Sequence, residues 1–397
     1  STLIGRLLYD SKNILTDQLE QLEKQSKNKE AGSIDLALLT DGLRAEREQG
    51  ITIDVAYRYF STPNRKFIIA DAPGHVQYTR NMITGASNAS LVIILVDARQ
   101  GVVEQTRRHS IIASLLKIPH VVVAINKMDL VDFSRDVFNN IVIDYAAVAK
   151  QLNLEDVTYI PMSALLGDNI VDRSEKMVWY EGKPLLQFLE EIKTDNDVNL
   201  TDSRFQVQLV IRPQTEDLHD YRGYAGKVIS GIYKKGDAVK ILPSGIESSI
   251  SKLEVAGKEV EEVFAPQSVV IQLKDDIDIS RGDTIVRSGE NVKVGNEVET
   301  LLCWMDEKPL IPGNKYYLQH NSRLVRAVVR NIEYKLDVNT LQQQPVDGTV
   351  KLNEIVKATI KTASPLVFDA YADISANGSA ILVDETSNST VAAVMFQ

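Results

Sequence analysis

The stretch Asn126-Lys127-Met128-Asp129 follows a continuous apolar run that predicts a buried strand. The carboxylate of Asp129 can accept two hydrogen bonds from guanine, one from the ring N–H and one from the exocyclic amine. Adenine has neither group in the matching place and would leave the carboxylate unpaired, which is costly. Asn126 can tie the loop to its neighbours, and the stem of Lys127 can cover the base. Taken alone, these residues also fit an ordinary strand-to-helix turn, because Asn and Asp are common there.

The tripeptide Ser163-Ala164-Leu165 follows the next predicted strand. The backbone N–H groups of Ser163 and Ala164 are placed to bind the guanine oxygen. The tripeptide alone does not predict a binding site. Its place one strand–helix unit after the Asp129 loop makes it a candidate for guanine binding. Together the two loops predict a guanine-binding edge of a sheet.

The sequence Asp-Ala-Pro-Gly-His, which ends at His75, closes another predicted strand. Asp71 is placed to hold Mg²⁺ through water, and Gly74 lets a backbone N–H approach a terminal phosphate closely. The imidazole of His75 can orient the attacking water, a role that a glutamine performs in other GTPases. A simple Pro-Gly turn after a strand is the alternative interpretation of this piece alone.

Thr52 lies in Gly-Ile-Thr-Ile, upstream of that strand. Its hydroxyl can bind Mg²⁺ and its N–H can bind the γ-phosphate, so we expect a loop that closes only over a triphosphate. The start of the next strand is the alternative, and both can be true. The predicted switch segments are 33–53 and 74–86.

A complete phosphate loop of the pattern G-x-x-x-x-G-K-[ST] does not occur in this sequence. Ser1 heads a predicted helix, which is where the final Ser or Thr of that pattern falls. We therefore expect Ser1 to offer its hydroxyl to Mg²⁺, with Thr2 beside it at the helix N-terminus. On this interpretation the chain begins inside its own phosphate loop, and the preceding strand is missing.

The spacing of apolar runs divides the chain into an α/β part and an all-β part. Nearly continuous β-branched runs alternate with helical stretches in the first half, which predicts a doubly wound, mostly parallel sheet. Short strands separated by Gly, Pro, Asp and Ser turns follow and predict β-barrels. We predict a P-loop GTPase domain followed by two β-barrel domains, with bounds 1–196, 203–296 and 297–397.

Composition limits the class of protein. The net charge of −10 argues against a protein whose main task is to grip nucleic-acid phosphates. No apolar run reaches the roughly 20 residues of a membrane helix, so we expect no membrane segment. The single cysteine, Cys303, is expected to be a buried thiol and fits a reducing compartment, which predicts a cytoplasmic protein.

The order of these four motifs, followed by two β-domains, resembles the elongation-factor-Tu-like translational GTPases. The stretches 41–62, 69–87, 97–116 and 222–231 are similar to the GTPase subunits of bacterial ATP sulfurylase, sulfate adenylyltransferase subunit 1. The resemblance implies a heterodimer. It further implies that the smaller adenylyltransferase subunit joins ATP and sulfate and that GTP hydrolysis drives that step. A fused or separate adenylylsulfate kinase occurs in some relatives, and no nucleic-acid partner is expected.

The resemblance also assigns roles to single residues. It implies that Ser1 and Thr52 ligate Mg²⁺ directly, that Asp71 does so through water, and that His75 positions the attacking water. It implies that guanine is bound by Asn126, Lys127, Asp129, Ser163 and Ala164. Two departures are visible: Val76 stands where the family has Glu, and the segment 212–226 is longer than usual. No arginine finger is identifiable in cis, so slow intrinsic hydrolysis is expected.

Two other functions compete with this interpretation. A translation elongation factor delivering aminoacyl-tRNA would share the domains, and the segment 315–330 carries the basic and aromatic residues that RNA binding needs. A regulatory GTP sensor would bind GTP without sulfate-dependent turnover, but His75 and Thr52 together favour hydrolysis.

Overall fold

The computed structural model describes residues 1–12, 36, 52, 54–194, 198–213, 221–340 and 342–397. These residues form two compact units, one of Ser1–Lys193 with Val338–Leu341 and one of Thr194–Asp337 with Gln342–Gln397. Most of the predicted switch segment 33–53 and the long part of the 212–226 loop lie outside the described residues. Within the described ranges, no helix has the length and apolar character needed to cross a bilayer.

The first unit contains five described helices and two 3₁₀ turns. The helices are Thr2–Asp10 (α1), Thr79–Ala86 (α2), Glu104–Leu115 (α3), Arg135–Gln151 (α4) and Leu185–Glu191 (α5). The turns are Val76–Tyr78 and Met128–Val131. Helix α1 buries Leu3, Leu7 and Leu8 on one face, as the apolar period of its sequence predicts.

Five described strands form two sheets in this unit. Ala56–Ser61 (β1) and Lys66–Asp71 (β2) make an antiparallel hairpin. Leu91–Asp97 (β3), His120–Asn126 (β4) and Asp156–Pro161 (β5) make a parallel sheet in that order. In β4 the side chains from Val121 to Ile125 are at most 2% exposed, because the strand lies between two neighbours and under helices. The carboxyl ends of the three parallel strands therefore meet at one edge.

The second unit begins with a barrel of short strands. The strands are Arg204–Ile211 (β6), Gly223–Ser230 (β7), Ile232–Lys234 (β8), Ala238–Leu242 (β9), Ile246–Val255 (β10), Lys258–Val260 (β11), Glu262–Phe264 (β12), Ser268–Leu273 (β13) and Thr284–Arg287 (β14). Six of them close a ring in the order β10-β13-β7-β6-β14-β9 and back to β10. Closure leaves the apolar face of each strand inside, in agreement with the predicted barrel.

The second β-barrel is also a closed ring of six strands. Its strands are Lys293–Trp304 (β15), Lys315–His320 (β16), Arg323–Leu336 (β17), Gln343–Gln344 (β18), Ile355–Phe368 (β19), Ser379–Val383 (β20) and Thr390–Phe396 (β21). The ring runs β16-β20-β21-β15-β19-β17 and back to β16. The domain border predicted at 296/297 lies inside β15. Cys303 is fully buried there as predicted, and burial raises the pKa of its thiol to about 12.

A buried arginine joins the two barrels. Arg204, 2% exposed, donates two hydrogen bonds of 2.8 Å to Asp369 and one of 2.7 Å to Glu290. Asn377 adds a bond of 2.7 Å to Asp369. Arg287 donates a further bond of 3.0 Å to Glu290, so two arginines compensate two carboxylates, which is the condition for burying charges without a large cost. The predicted fold class, an α/β domain followed by two β-barrels, is confirmed.

Candidate GTP-binding site

The loops after β4 and β5 are joined by hydrogen bonds at the carboxyl edge of the sheet. The side-chain oxygen of Asn126, the last residue of β4, accepts the N–H of Ala164 at 2.8 Å. Met128 donates its N–H to Met162 O at 3.2 Å, and Met162 donates its N–H to Ile125 O at 2.8 Å. The two predicted guanine-binding loops therefore form one structural unit, with Asn126 as the tie that the sequence predicts.

Ser163 orients the carboxylate of Asp129. Its buried hydroxyl donates to Asp129 Oδ1 at 2.6 Å and accepts the N–H of Leu166 at 3.3 Å. The N–H of Ser163 is bonded to Asp168 O at 3.2 Å. The sequence predicts that backbone N–H groups of Ser163 and Ala164 bind guanine, and in this structure both have acceptors within the protein. The sequence does not predict that the Ser163 hydroxyl orients the Asp129 carboxylate.

Lys127 is fixed by an acidic residue from the neighbouring strand. Its backbone adopts φ +64°, and its Nζ donates to Asp97 Oδ2 at 3.0 Å. Arg99 binds the same carboxylate through two bonds of 3.0 and 2.7 Å, which hold the pKa of Asp97 well below its usual range. The ionised Asp97 thus fixes the position of the Lys127 side chain by an ion pair of 3.0 Å. Asp97 ends β3 and lies beside Asn126 in the parallel pair β3–β4. This place at the end of a predicted strand is the sequence feature from which its contact with the Lys127 loop could be predicted.

Arg6 connects helix α1 to the loop after β5. Its Nε donates to Ala164 O at 3.2 Å, its Nη2 donates to Leu165 O, and its Nη1 pairs with Asp10 at 3.3 Å. The planar fork of a guanidinium suits two successive carbonyls. Arg6 carries no motif signal in the sequence, because the contact spans 158 residues.

Ser1 and Asp71 come together at the start of α1. The hydroxyl of Ser1 donates to Asp71 Oδ2 at 3.4 Å, and Thr2 follows in the first turn of the helix. Hydroxyl and carboxylate oxygens are ligands that Mg²⁺ prefers, so this pair of oxygens fits the ion. In the described part of the chain Thr52 is half-buried and hydrogen-bonded to neither residue.

The loop that carries His75 is held from helix α3. The carbonyl of Gly74 accepts hydrogen bonds from Gln105 Nε2 and His109 Nε2, both at 3.1 Å. Burial lowers the pKa of His109, which keeps its ring neutral. His75 itself is exposed, and its carbonyl accepts the N–H of Tyr78 at 2.9 Å. The sequence predicts Gly74 and His75 as functional residues but misses Gln105 and His109.

Two family models match this chain. Residues 1–200 match the elongation factor Tu GTP binding domain. Residues 297–397 match the GTP-eEF1A C-terminal domain-like family. The first match covers the α/β part, with all of the strand-end motifs described above.

Curated relatives match over the full length of the chain. Sulfate adenylyltransferase subunit 1 of Bacteroides fragilis is 53% identical, over 100% of this chain and 82% of the relative. The protein of the same name from Cellvibrio japonicus is 52% identical, over 100% and 83%. The bifunctional enzyme CysN/CysC of Mycobacterium tuberculosis is 51% identical, and this chain spans 64% of its length. The chain belongs to the sulfate adenylyltransferase subunit 1 family and begins with a GTP-binding domain of the elongation factor Tu type.

Proposed function

We propose that this chain is the GTP-hydrolysing subunit of a heteromeric sulfate adenylyltransferase. In this proposal a small partner subunit forms adenosine 5'-phosphosulfate and pyrophosphate from ATP and sulfate, and GTP hydrolysis by this chain drives that unfavourable step. The observation that carries the proposal is the meeting of the Asp129, Ser163 and Asn126 side chains at one edge of the sheet. The name of the relatives, subunit 1, supports a second subunit.

Guanine selection follows from Asp129. One carboxylate oxygen accepts the Ser163 hydroxyl, which fixes the orientation of the group at 2.6 Å. A fixed carboxylate can accept from the ring N–H and the exocyclic amine of guanine, and adenine would leave it unpaired. Lys127, held by Asp97, covers the base, and the Ala164 loop lies beside the guanine oxygen.

Hydrolysis follows from the groups at the other end of the site. Ser1 and Thr52 would ligate Mg²⁺ directly and Asp71 through water. When bound, the ion neutralises charge that develops between the β- and γ-phosphates. The N–H of Gly74 approaches the γ-phosphate, and His75 orients the attacking water. His75 is exposed in this structure, so its imidazole has access to solvent water.

Coupling requires that the GTP and GDP states present different surfaces to the partner. A few kcal/mol of differential affinity suffices, roughly the amount that shifts a two-state equilibrium a hundredfold or more. Segments 33–53 and 74–86 are the proposed switches. An adenylylsulfate kinase, fused or separate, is a proposed further partner, since one relative is named a bifunctional enzyme. We place the reaction in the cytoplasm.

Delivery of aminoacyl-tRNA is the less favoured function. The basic segment 315–330 forms β16 and the first half of β17, where Arg330 pairs with Glu297 at 2.9 Å and Arg326 with Glu385 at 3.6 Å. Two of its arginines are therefore paired with acidic residues within the barrel. Of its two tyrosines, Tyr316 is buried in the core and Tyr317 is half-buried in β16, so neither ring is fully presented for base stacking.

The rate of GTP hydrolysis tests the proposal. The protein would be assayed alone, with the proposed small adenylyltransferase subunit of the same organism, and with that subunit plus ATP and sulfate. We expect slow hydrolysis alone and stimulation of at least about tenfold in the complete mixture, because a missing transition-state group is worth about 10³–10⁵-fold. Asp129→Asn serves as the control that should abolish the stimulated rate. Equal rates in all three mixtures would contradict the proposal.

A further inference from the structure

The Gly74 carbonyl receives more hydrogen bonds than a surface turn requires. Two side chains, Gln105 and His109, donate to this one oxygen at 3.1 Å each. They lie four residues apart on α3, so they share one face of the helix, directed at the loop. A carbonyl can only accept, so His109 must carry its proton on Nε2, and the buried neutral ring agrees with that. Helix α3 therefore fixes this carbonyl through two hydrogen bonds.

These two hydrogen bonds hold the peptide group between Gly74 and His75. In a planar trans peptide the carbonyl and the N–H point in opposite directions. Because the Gly74 carbonyl is directed at α3, the N–H of His75 is directed away from α3. On its other side, His75 is held by its own carbonyl, which accepts the Tyr78 N–H at 2.9 Å. The backbone of His75 is thus fixed before and after its Cα, while its side chain stays exposed.

A side chain at position 74 would crowd these donors. A Cβ on residue 74 would lie 2.4 Å from Gln105 Nε2 and 3.1 Å from His109 Cε1. The Gln105 amide ends a flexible side chain and would have to move away from such a Cβ, so a larger residue at position 74 would disturb its contact with the Gly74 carbonyl.

We propose that Gln105 and His109 are positioning residues for GTP hydrolysis, which hold the Gly74–His75 peptide and thereby set the place from which His75 reaches the attacking water. The inference rests on the proposed function, in which His75 orients that water. Neither residue touches the nucleotide in this account. Their effect on the rate passes through the backbone of one residue.

Matched variants separate positioning from folding. His109→Phe keeps the size of the ring and removes the donor, and Gln105→Met does the same for the amide. His109→Gln restores a donor at that position. Arg107→Gln is the control, because Arg107 is exposed on the same helix. Single-turnover GTP hydrolysis, GDP affinity and the melting temperature are measured on the full-length protein with its small subunit.

The expected result is a split between rate and affinity. His109→Phe and Gln105→Met should each slow hydrolysis by about tenfold or more, since small displacements of a catalytic group have effects up to about a hundredfold. GDP affinity should stay within about twofold, because these side chains make no base or ribose contact in this account. His109→Gln should recover most of the rate, and Arg107→Gln should change nothing.

A double-mutant cycle with His75→Ala gives the decisive result. If the two donors act through His75, then His109→Phe should slow hydrolysis less than about twofold in the His75→Ala background, because the effects of coupled residues are not additive. An equal slowing in both backgrounds, or an unchanged rate in the single variants, would overturn the inference and leave the proposed function standing. A wild-type rate that does not depend on His75 would overturn the proposed role of His75 and the inference with it.

Discussion

The hydroxyl of Ser163 donates a 2.6 Å hydrogen bond to Oδ1 of Asp129, across 34 residues of sequence. The two residues belong to different loops, one after β4 and one after β5. A hydroxyl that donates to a carboxylate both fixes its orientation and uses one of its lone pairs. In the proposed function, the serine of the second loop thus acts on guanine through the aspartate of the first.

Removal of that hydroxyl should weaken guanine-nucleotide binding. Hydrogen bonds to charged groups contribute about 1.5–3 kcal/mol, so Ser163→Ala should raise the Kd for GDP by roughly 10- to 100-fold. Titration with a fluorescent GDP analogue measures the change. Ser114→Ala is the control, since Ser114 donates to Leu152 O at 2.8 Å, away from the site. An unchanged Kd in Ser163→Ala would show that the aspartate needs no such support.

Replacement of the Arg6 fork should loosen the loop after β5. Arg6→Lys keeps the charge but loses the planar pair of donors to the carbonyls of Ala164 and Leu165. We expect GDP affinity to fall about threefold to tenfold, because one ordinary hydrogen bond contributes about 0.5–1.5 kcal/mol. Arg173→Lys is the matched control, since Arg173 holds the carbonyls of Glu181 and Gly182 instead. Equal losses in the two variants would refute a specific role for Arg6.

The buried arginine between the barrels should be indispensable for stability. Arg204→Ala leaves the buried carboxylate of Asp369 without its cationic partner, while Glu290 keeps Arg287 at 3.0 Å, so we expect a loss of about 3–5 kcal/mol in the free energy of unfolding. Arg330→Ala breaks the exposed pair with Glu297 and should cost less than about 1 kcal/mol. Urea unfolding followed by circular dichroism compares the two. Similar losses for both variants would contradict the distinction between the buried and the exposed pair.

Acid should destabilise the second unit through His320. This side chain is buried against Phe396, and burial lowers its pKa from 6.5 to about 4, with Asp369 and Arg323 acting in opposite directions. The folded pKa is depressed, so the stabilising contribution is complete above about pH 6.5 and is lost as the pH falls towards 4. In that window the unfolded chain binds about one more proton, which corresponds to a slope of about 1.4 kcal/mol per pH unit.

His320→Gln should remove that slope while retaining a polar side chain near Asn377. The midpoint of urea unfolding would be measured between pH 4 and pH 7 for both proteins. Parallel curves for wild type and variant would show that His320 does not titrate in this way.

The architecture could be predicted from the sequence because its strands are continuous apolar runs. The run 120–127 predicts a strand, and His120–Asn126 is one, since a strand covered on both faces admits no polar residue in its middle. The motif loops could be predicted for the same reason: Asn126 and Ser163 lie just beyond such runs. The family resemblance is confirmed by the full-length relatives.

The supporting residues could not be predicted, because their partners are distant in sequence. Arg6 acts on Ala164, and Gln105 acts on Gly74, through contacts that depend on how helices pack against the sheet. No periodicity encodes such pairs. The proposed role of Thr52 and the effect of Val76 stay predictions.

Pyrophosphate release from ATP measures whether GTP hydrolysis by this chain drives the transfer of an adenylyl group to sulfate. The protein and the proposed small subunit would be assayed with ATP and sulfate, with and without GTP, alongside the Asp129→Asn variant. We expect sulfate-dependent release that GTP strongly stimulates, and loss of the stimulation in the variant. Sulfate-dependent release that is equal with and without GTP, or no release under any nucleotide, would contradict this expectation.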